Sequence, residues 1–283
     1  MLNIPIIHLY NTILPIMQEV ESSLKLKKSK LGRKPKLSNA QIATLFIISY
    51  LTNCPVMRLA QLLIDPNIKS YHIFRKVRIK AVYKLLRTYM QLKAIAIIAL
   101  KLLIRKRIKL IVDGSLMPVA SLNRARTQKI RRLAGRQFWG KRKRKLYSKD
   151  YGKEVEFEEV CYGVLVMVVC DTEGTVYDLW YHPASYHEVK SLRKRVSKSV
   201  WLRWLLSRFE LIGDRGYRGC DYVRVCESKE DRAHGQVVEG VFSWLKRFNF
   251  VSGWRKGITL LTYLYAYAVG YSFYRNIKVQ LCA

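Results

Sequence analysis

The chain has 283 residues, of which 50% are hydrophobic, enough to bury a sizeable core and too many for a disordered basic tail. Its 52 Lys and Arg stand against 20 Asp and Glu, a formal charge of +32, and such an excess in a globular chain points to a polyanionic partner, nucleic acid first. The six cysteines, Cys54, Cys161, Cys170, Cys220, Cys226 and Cys282, form no CxxC pair, which argues against a zinc ribbon or finger and for reduced thiols.

Residues 1–20 show apolar periodicity interrupted by Pro5 and Pro15 and predict a short helix. They lack a basic lead and a small-residue cleavage site, so a cytoplasmic protein is expected. Residues 24–36 are a basic connector that reads equally as a DNA-contacting arm or a solvated linker. Ser38 with Gln41 three residues on is a capping-box signature opening a helix through Tyr50, stopped by Asn53-Cys54-Pro55. A second short helix is predicted over 56–64. A third begins near Ser70 and carries Tyr71, His72, Arg75, Lys76, Arg78 and Lys80. Three helices with short turns and a basic last member suggest a helix-turn-helix-like arrangement with that last helix in a DNA groove, although small helical bundles share the pattern. Residues 1–112 hold 21 basic residues against three acids, Glu19, Glu21 and Asp65, so phosphate contact is expected of this half. Residues 81–107 continue as helix, giving an all-α domain over 1–107 and a second domain over 108–283.

The second domain opens with a strand-like run, Ile108-Lys109-Leu110-Ile111-Val112, followed by Asp113-Gly114. Residues 114–149 contain no acid and 12 basic residues, with Phe138, Trp139 and Tyr147 among them. That stretch, Lys141, Arg142, Lys143, Arg144 and Lys145 above all, reads as phosphate-neutralising and base-stacking surface or as a solvated insert. A hairpin is predicted from 162–170, the turn Asp171-Thr172-Glu173-Gly174, and 175–180. A helix over 187–198 follows, then Phe209-Glu210-Leu211-Ile212-Gly213-Asp214-Arg215-Gly216-Tyr217, a buried strand delivering a carboxylate at its end. In the next predicted helix Val238, Val241, Phe242 and Leu245 recur at helical spacing and leave Glu239 off the apolar stripe. The uncharged run 258–274 reads as a buried closing helix, so no membrane partner is expected. The order predicts an α/β domain, a mixed sheet flanked by helices, with carboxylates at strand ends.

Four segments in this order, Ile111-Val112-Asp113-Gly114-Ser115-Leu116-Met117-Pro118, Pro183-Ala184-Ser185-Tyr186-His187, Gly213-Asp214-Arg215-Gly216-Tyr217 and Val238-Glu239-Gly240-Val241-Phe242-Ser243-Trp244-Leu245-Lys246, resemble the DDE transposases of bacterial and archaeal insertion sequences. The resemblance covers residues 108–277. It implies an RNase H-like catalytic domain, Asp113, Asp214 and Glu239 as catalytic triad and metal ligands, and Lys246 as a DNA-contacting residue. Two Mg2+ ions, with Mn2+ as substitute, would be held by the three carboxylates, Asp113 bridging them. The implied activity is cleavage at the terminal repeats and joining of the 3′-hydroxyl to target DNA, by a homodimer on double-stranded DNA. A catalytically inactive, transposase-derived DNA-binding protein or repressor is the alternative. The chain departs from the pattern at Gly235 and Arg232, where such enzymes carry Arg and often Tyr, and at Glu188, where Asp is commoner after the histidine; Arg232 or His234 would stand in for the missing Arg.

Overall fold

The computed structural model describes residues 5–24, 36–119, 138–148, 152–246 and 258–282, without the side chains of 142–148, 153–157, 159, 229–232, 234 and 276–282. The connector 25–35, the basic positions Arg131, Arg132 and Arg136, and Trp254 lie outside the described residues, as do the side chains of Arg232 and His234. The chain forms two compact units: residues 1–107 with 175–177 and 256–283, and residues 108–174 with 178–255.

The first unit is helical: α1 (Ile6–Ser23), α2 (Asn39–Thr52), α3 (Val56–Leu63), α4 (Ser70–Phe74), α5 (Lys76–Leu103) and the last helix of the chain, α9 (Ile258–Cys282). Helix α1 runs unbroken through Pro15, with Ile13 and Met17 buried on its inner face. Helix α2 is apolar all round and buried on every side, as a central helix must be. Its start carries the capping box expected from sequence: Ser38 Oγ accepts from the Gln41 amide at 3.0 Å, and Gln41 Oε1 from the Ser38 amide at 2.8 Å. Glu21 of α1 adds a carboxylate at the same positive helix end, accepting from the Asn39 side chain at 2.8 Å and the Ala40 amide at 3.1 Å. Asn53, in the left-handed conformation at φ 56°, closes α2.

Helix α9 packs on α5 and α2. Read from sequence as part of the second domain, it groups instead with the first unit, because its buried tyrosines find aromatic partners there. Tyr267 stacks on Tyr50 at 4.8 Å, Tyr265 meets Tyr83 edge-on at 5.2 Å, and Tyr263 meets Phe46 at 4.7 Å. Among the described residues no single helix is long and apolar enough to cross a membrane.

The second unit is α/β. Its strands are β1 (Lys109–Pro118), β2 (Trp139–Ser148), β3 (Lys153–Asp171), β4 (Val176–Pro183), β5 (Glu210–Gly213) and β6 (Arg224–Val225), and its helices α6 (Glu188–Lys198), α7 (Val200–Leu206) and α8 (Lys229–Lys246). They form one mixed sheet in the order β2-β3-β1-β5-β6, with β4 also pairing with β3. Strands β1, β5 and β6 run parallel, while β3 is antiparallel to β1 and β2. The 19-residue β3 serves two partners: residues 153–162 pair with β2 and residues 163–171 with β1. Helix α6 packs on β3 and α8 on β1, so the sheet is flanked by helices.

Candidate active site

Parallel pairing sets the first two carboxylates side by side. The β1–β5 register is Lys109↔Glu210, Leu110↔Leu211 and Ile111↔Ile212; two residues further along each strand come Asp113 and Asp214. Asp113 was expected at a strand end and instead lies inside β1. The strand continues because its other edge is still paired with β3, through Asp113↔Val168 to Pro118↔Gly163. It is β5 that stops, at Gly213, so Asp113 sits where one neighbour of β1 gives out.

Asp214 then caps a short 3-10 turn, Arg215–Tyr217, its Oδ1 accepting from the Gly216 amide at 2.9 Å. The turn swings Tyr217 back under the strand end. A Cβ at Gly213 would lie 2.8 Å from the Tyr217 ring and 2.8 Å from Val223, so glycine is required there for space. Tyr217 is fully buried, with its hydroxyl hydrogen-bonded to the Glu188 side chain. Burial, and then the charges of Glu188, Asp113 and Asp214, push its phenol far above the usual tyrosine value.

Glu188 is the residue that sequence reasoning noted only as a departure from a pattern. It is the first residue of α6, directly after the N-cap His187, whose Nδ1 accepts from the Val189 amide at 3.3 Å. His187 is therefore a capping residue. Helix α6 is fixed to β4 by two contacts, one buried and one partly buried: Trp180 Nε1 donates to Ser191 Oγ at 2.8 Å, and Arg195 donates to Asp178 through Nε at 2.9 Å and Nη2 at 2.7 Å. So anchored, α6 sends the Glu188 side chain against the backbone of β1. A Cβ on Gly114 would fall 2.8 Å from Glu188 Cδ and 2.9 Å from its Oε1. Glycine beside Asp113 thus leaves an opening that the Glu188 carboxyl fills.

Glu239 is exposed on α8, off the buried stripe Val238, Val241, Phe242 and Leu245, as its spacing predicted. Lys246, also exposed, ends the same helix. Among the described residues no three carboxylate, histidine or cysteine side chains converge as a preformed metal cage. The structure therefore brings Asp113 and Asp214 together but records no such convergence with Glu239. Among the described residues Cys54, Cys161, Cys170, Cys220 and Cys226 form no disulfide.

The basic positions divide into different roles. The predicted third helix is interrupted: Arg75 is extended (φ −60°, ψ 133°), ending α4 and capping α5. The break lets Ile73 and Ile79 both reach the core while Arg75, Lys76 and Lys80 stay exposed around the start of α5. Arg78 turns inward, donating to the carbonyls of Leu37 and of His72, the latter at 3.2 Å, and burial lowers its pKa from the usual value. It ties α5 to the start of α2.

Residues 141–145 form part of β2, and their strand partners are acidic: Arg142↔Glu159, Lys143↔Glu158 and Lys145↔Glu156 lie opposite one another. Lys141 pairs diagonally with Glu158 at 2.9 Å, both side chains largely in solvent. The segment is thus a charge-matched ribbon as well as a basic one. The signal for it was the run Glu154, Glu156, Glu158 and Glu159, spaced to face the basic stretch across a turn. Comparison of the chain with family models, with curated proteins and with solved structures gives no match.

Proposed function

We propose that this chain is a DDE-type insertion-sequence transposase, cutting DNA at the element's terminal repeats and joining the freed 3′-hydroxyl to target DNA. The observation that carries this reading is the register of β1 with β5, which sets Asp113 beside Asp214 where β5 ends. The order β4-β3-β1-β5-β6, with the first strand central and its parallel partner bearing the second carboxylate, supports an RNase H-like domain. The four sequence segments and the charge of +32 point the same way.

The donor chemistry, carboxylate oxygens, fits hard divalent cations. Asp113, Asp214 and Glu239 would hold Mg2+, or Mn2+ in its place. When bound, such ions supply activation of the attacking oxygen and stabilisation of the leaving oxygen in an in-line displacement. The chain's own part is to position. Gly216 fixes the Asp214 carboxylate through its amide. Lys246 lies seven residues beyond Glu239 on α8, nearly two turns, so both project on a similar side and the lysine reaches a phosphate next to the one being cut.

In the first unit, α2 and α3 meet at 115°, an angle within the helix-turn-helix range. Arg75, Lys76 and Lys80 offer phosphate contacts at the start of α5. This unit would recognise the element's ends. Two ends must be cut and joined together while each chain carries one Asp113–Asp214 pair, so the working form is a dimer on double-stranded DNA.

A second reading, a non-catalytic DNA-binding protein or repressor derived from such an enzyme, is favoured by one observation: Glu239 does not converge with the aspartates into a metal cage among the described residues. Incubation with a duplex carrying the terminal repeats and Mg2+ separates the two. The transposase nicks at the repeat boundary, and Asp113→Asn or Asp214→Asn binds the duplex without nicking it; a wild-type chain that binds and never nicks is the repressor.

A further inference from the structure

We propose that the outward face of α5 between Leu92 and Leu103 is where two copies of this chain pair, antiparallel about a two-fold axis. The inference rests on the dimeric reading above and gives that dimer a surface.

From Thr88 to Ile104 the only charged residues are Lys93 and Lys101, and neither is exposed: Lys101 is buried and Lys93 half-buried. Ala94 and Ile98 also turn inward, while Leu92, Ile95, Ala96, Ala99, Leu100 and Leu103 are exposed. At about 100° per residue those six fall on one side of the helix. A helix apolar all round belongs in an interior, yet among the described residues only one side of this one is covered. The spacing identifies the missing cover as a second copy. The six positions are symmetric about the midpoint between Ile97 and Ile98, with 92 answering 103, 95 answering 100 and 96 answering 99. Laid antiparallel on itself, the face sets Ala96 against the partner's Ala99 at the crossing point, where small side chains let two helices approach. Leu92 and Ile95 then meet the partner's Leu103 and Leu100 on either side. Such self-complementarity is what a two-fold interface requires. Charge agrees, because two chains of formal charge +32 repel over most of their surface and meet at lowest cost where neither carries charge. The exposed fractions of the four large residues run from 45% at Ile95 to 80% at Leu103. With the alanines they amount to roughly 500 Å2 of apolar surface per chain, so two copies bury roughly 1,000 Å2, the lower bound for a specific interface. A lipid surface fits the helix poorly, since an interfacial helix carries Lys and Arg opposite its apolar face, and here that opposite side is packed in the core.

The test needs no DNA. Sedimentation velocity of the full chain from about 1 to 100 µM compares wild type, Leu103→Glu, Ala99→Glu and, as a control on α3, Leu62→Glu. All three positions are exposed, so the variants should fold, and circular dichroism checks that they do. Wild type should dimerise, and more tightly as NaCl rises from about 0.15 to 0.5 M, because screening removes repulsion between two basic chains. Leu103→Glu and Ala99→Glu should weaken the dimer about tenfold or more, and Leu62→Glu should leave it unchanged. Ala96→Glu combined with Ala99→Lys should associate better than either substitution alone, since the antiparallel register brings the opposite charges together. A wild type still monomeric at about 100 µM, or a dimer that withstands both Leu103→Glu and Ala99→Glu, overturns the proposal. So does a wild type that floats with anionic phospholipid vesicles as a monomer, which would make the face a membrane contact. A chain that joins DNA ends without this association overturns the face and leaves the transposase reading standing. A dimer lost in Leu103→Glu, from a chain that never cuts DNA, upholds the face and removes the transposase.

Discussion

Replacing Arg195 by Met should loosen the helix that presents Glu188. The Asp178 side chain is only 1% exposed and that of Arg195 17%. The carboxylate accepts from the Leu179 amide at 3.0 Å and from the guanidinium at 2.9 and 2.7 Å. Arg195→Met keeps the apolar stem against Trp180, whose ring lies 5.6 Å from the guanidinium carbon, but takes the guanidinium away from a buried carboxylate. Breaking a buried pair from one side costs about 3–5 kcal/mol; partial solvent access to Arg195 places this one near the lower end, about 3 kcal/mol. Asp178→Asn retains hydrogen bonding through the amide oxygen and removes only the charge facing the more exposed partner, so about 1–2 kcal/mol is expected. In the double variant the two effects are not additive, and the coupling should be about 1.5–3 kcal/mol. Urea unfolding followed by tryptophan fluorescence reads the right unit, because all six tryptophans fall within residues 108–255. An Arg195→Met cost below about 1 kcal/mol with no coupling would refute the view that this pair anchors α6.

Three further outcomes are expected. Neutralising Arg75, Lys76 and Lys80 to Ala should weaken DNA binding and lower the log-log salt slope by roughly 0.9 for each phosphate no longer neutralised, whereas Arg78→Met should leave that slope nearly unchanged and destabilise the first unit by about 1–3 kcal/mol; salt titrations with circular dichroism melts distinguish the two. Neutralising Lys141, Arg142, Lys143, Arg144 and Lys145 should weaken binding to all duplexes alike, so a drop in affinity confined to one sequence would mean that the ribbon reads bases. His182, stacked on Tyr186 at 4.3 Å, has its pKa lowered to about 4 by burial and then by Lys194, Lys198 and Arg195. The unfolded chain, with a histidine near its ordinary value of about 6.5, therefore binds the extra proton first. The contribution of His182 to stability is complete above about pH 6.5 and is lost as pH falls toward 4, and His182→Gln should remove that part of the pH dependence of Tm.

Much of this was legible in the residues. The capping box at Ser38 and Gln41, the hairpin turn at Asp171 to Gly174, the apolar run into Gly213-Asp214 and the stripe that leaves Glu239 outward are local patterns, and local patterns are what periodicity and turn chemistry report. The misreadings have a common cause in long-range pairing. Strand β1 passes Asp113 because β3, some 50 residues later, still pairs with it. The basic stretch around 141–145 is a strand because acidic residues at 154–159 lie opposite, and neither run announces the other. Arg78 has the same charge as Lys80 but turns inward because the Leu37 carbonyl, from another helix end, lies within its reach. Glu188 carried the weakest local signal. Its position follows from an opening at Gly114 and a helix pinned by Arg195, and both depend on tertiary packing.

The most direct test of the central claim is a strand-transfer assay with a pre-cut terminal-repeat duplex and a supercoiled target plasmid, run with Mg2+ and with EDTA. The Asp113–Asp214 site predicts joined products in Mg2+ that disappear in EDTA, in Asp113→Asn and in Asp214→Asn, while all three proteins still bind the duplex. Joined products that persist in Asp113→Asn, or a wild-type chain that binds the duplex in Mg2+ and joins nothing, would contradict it.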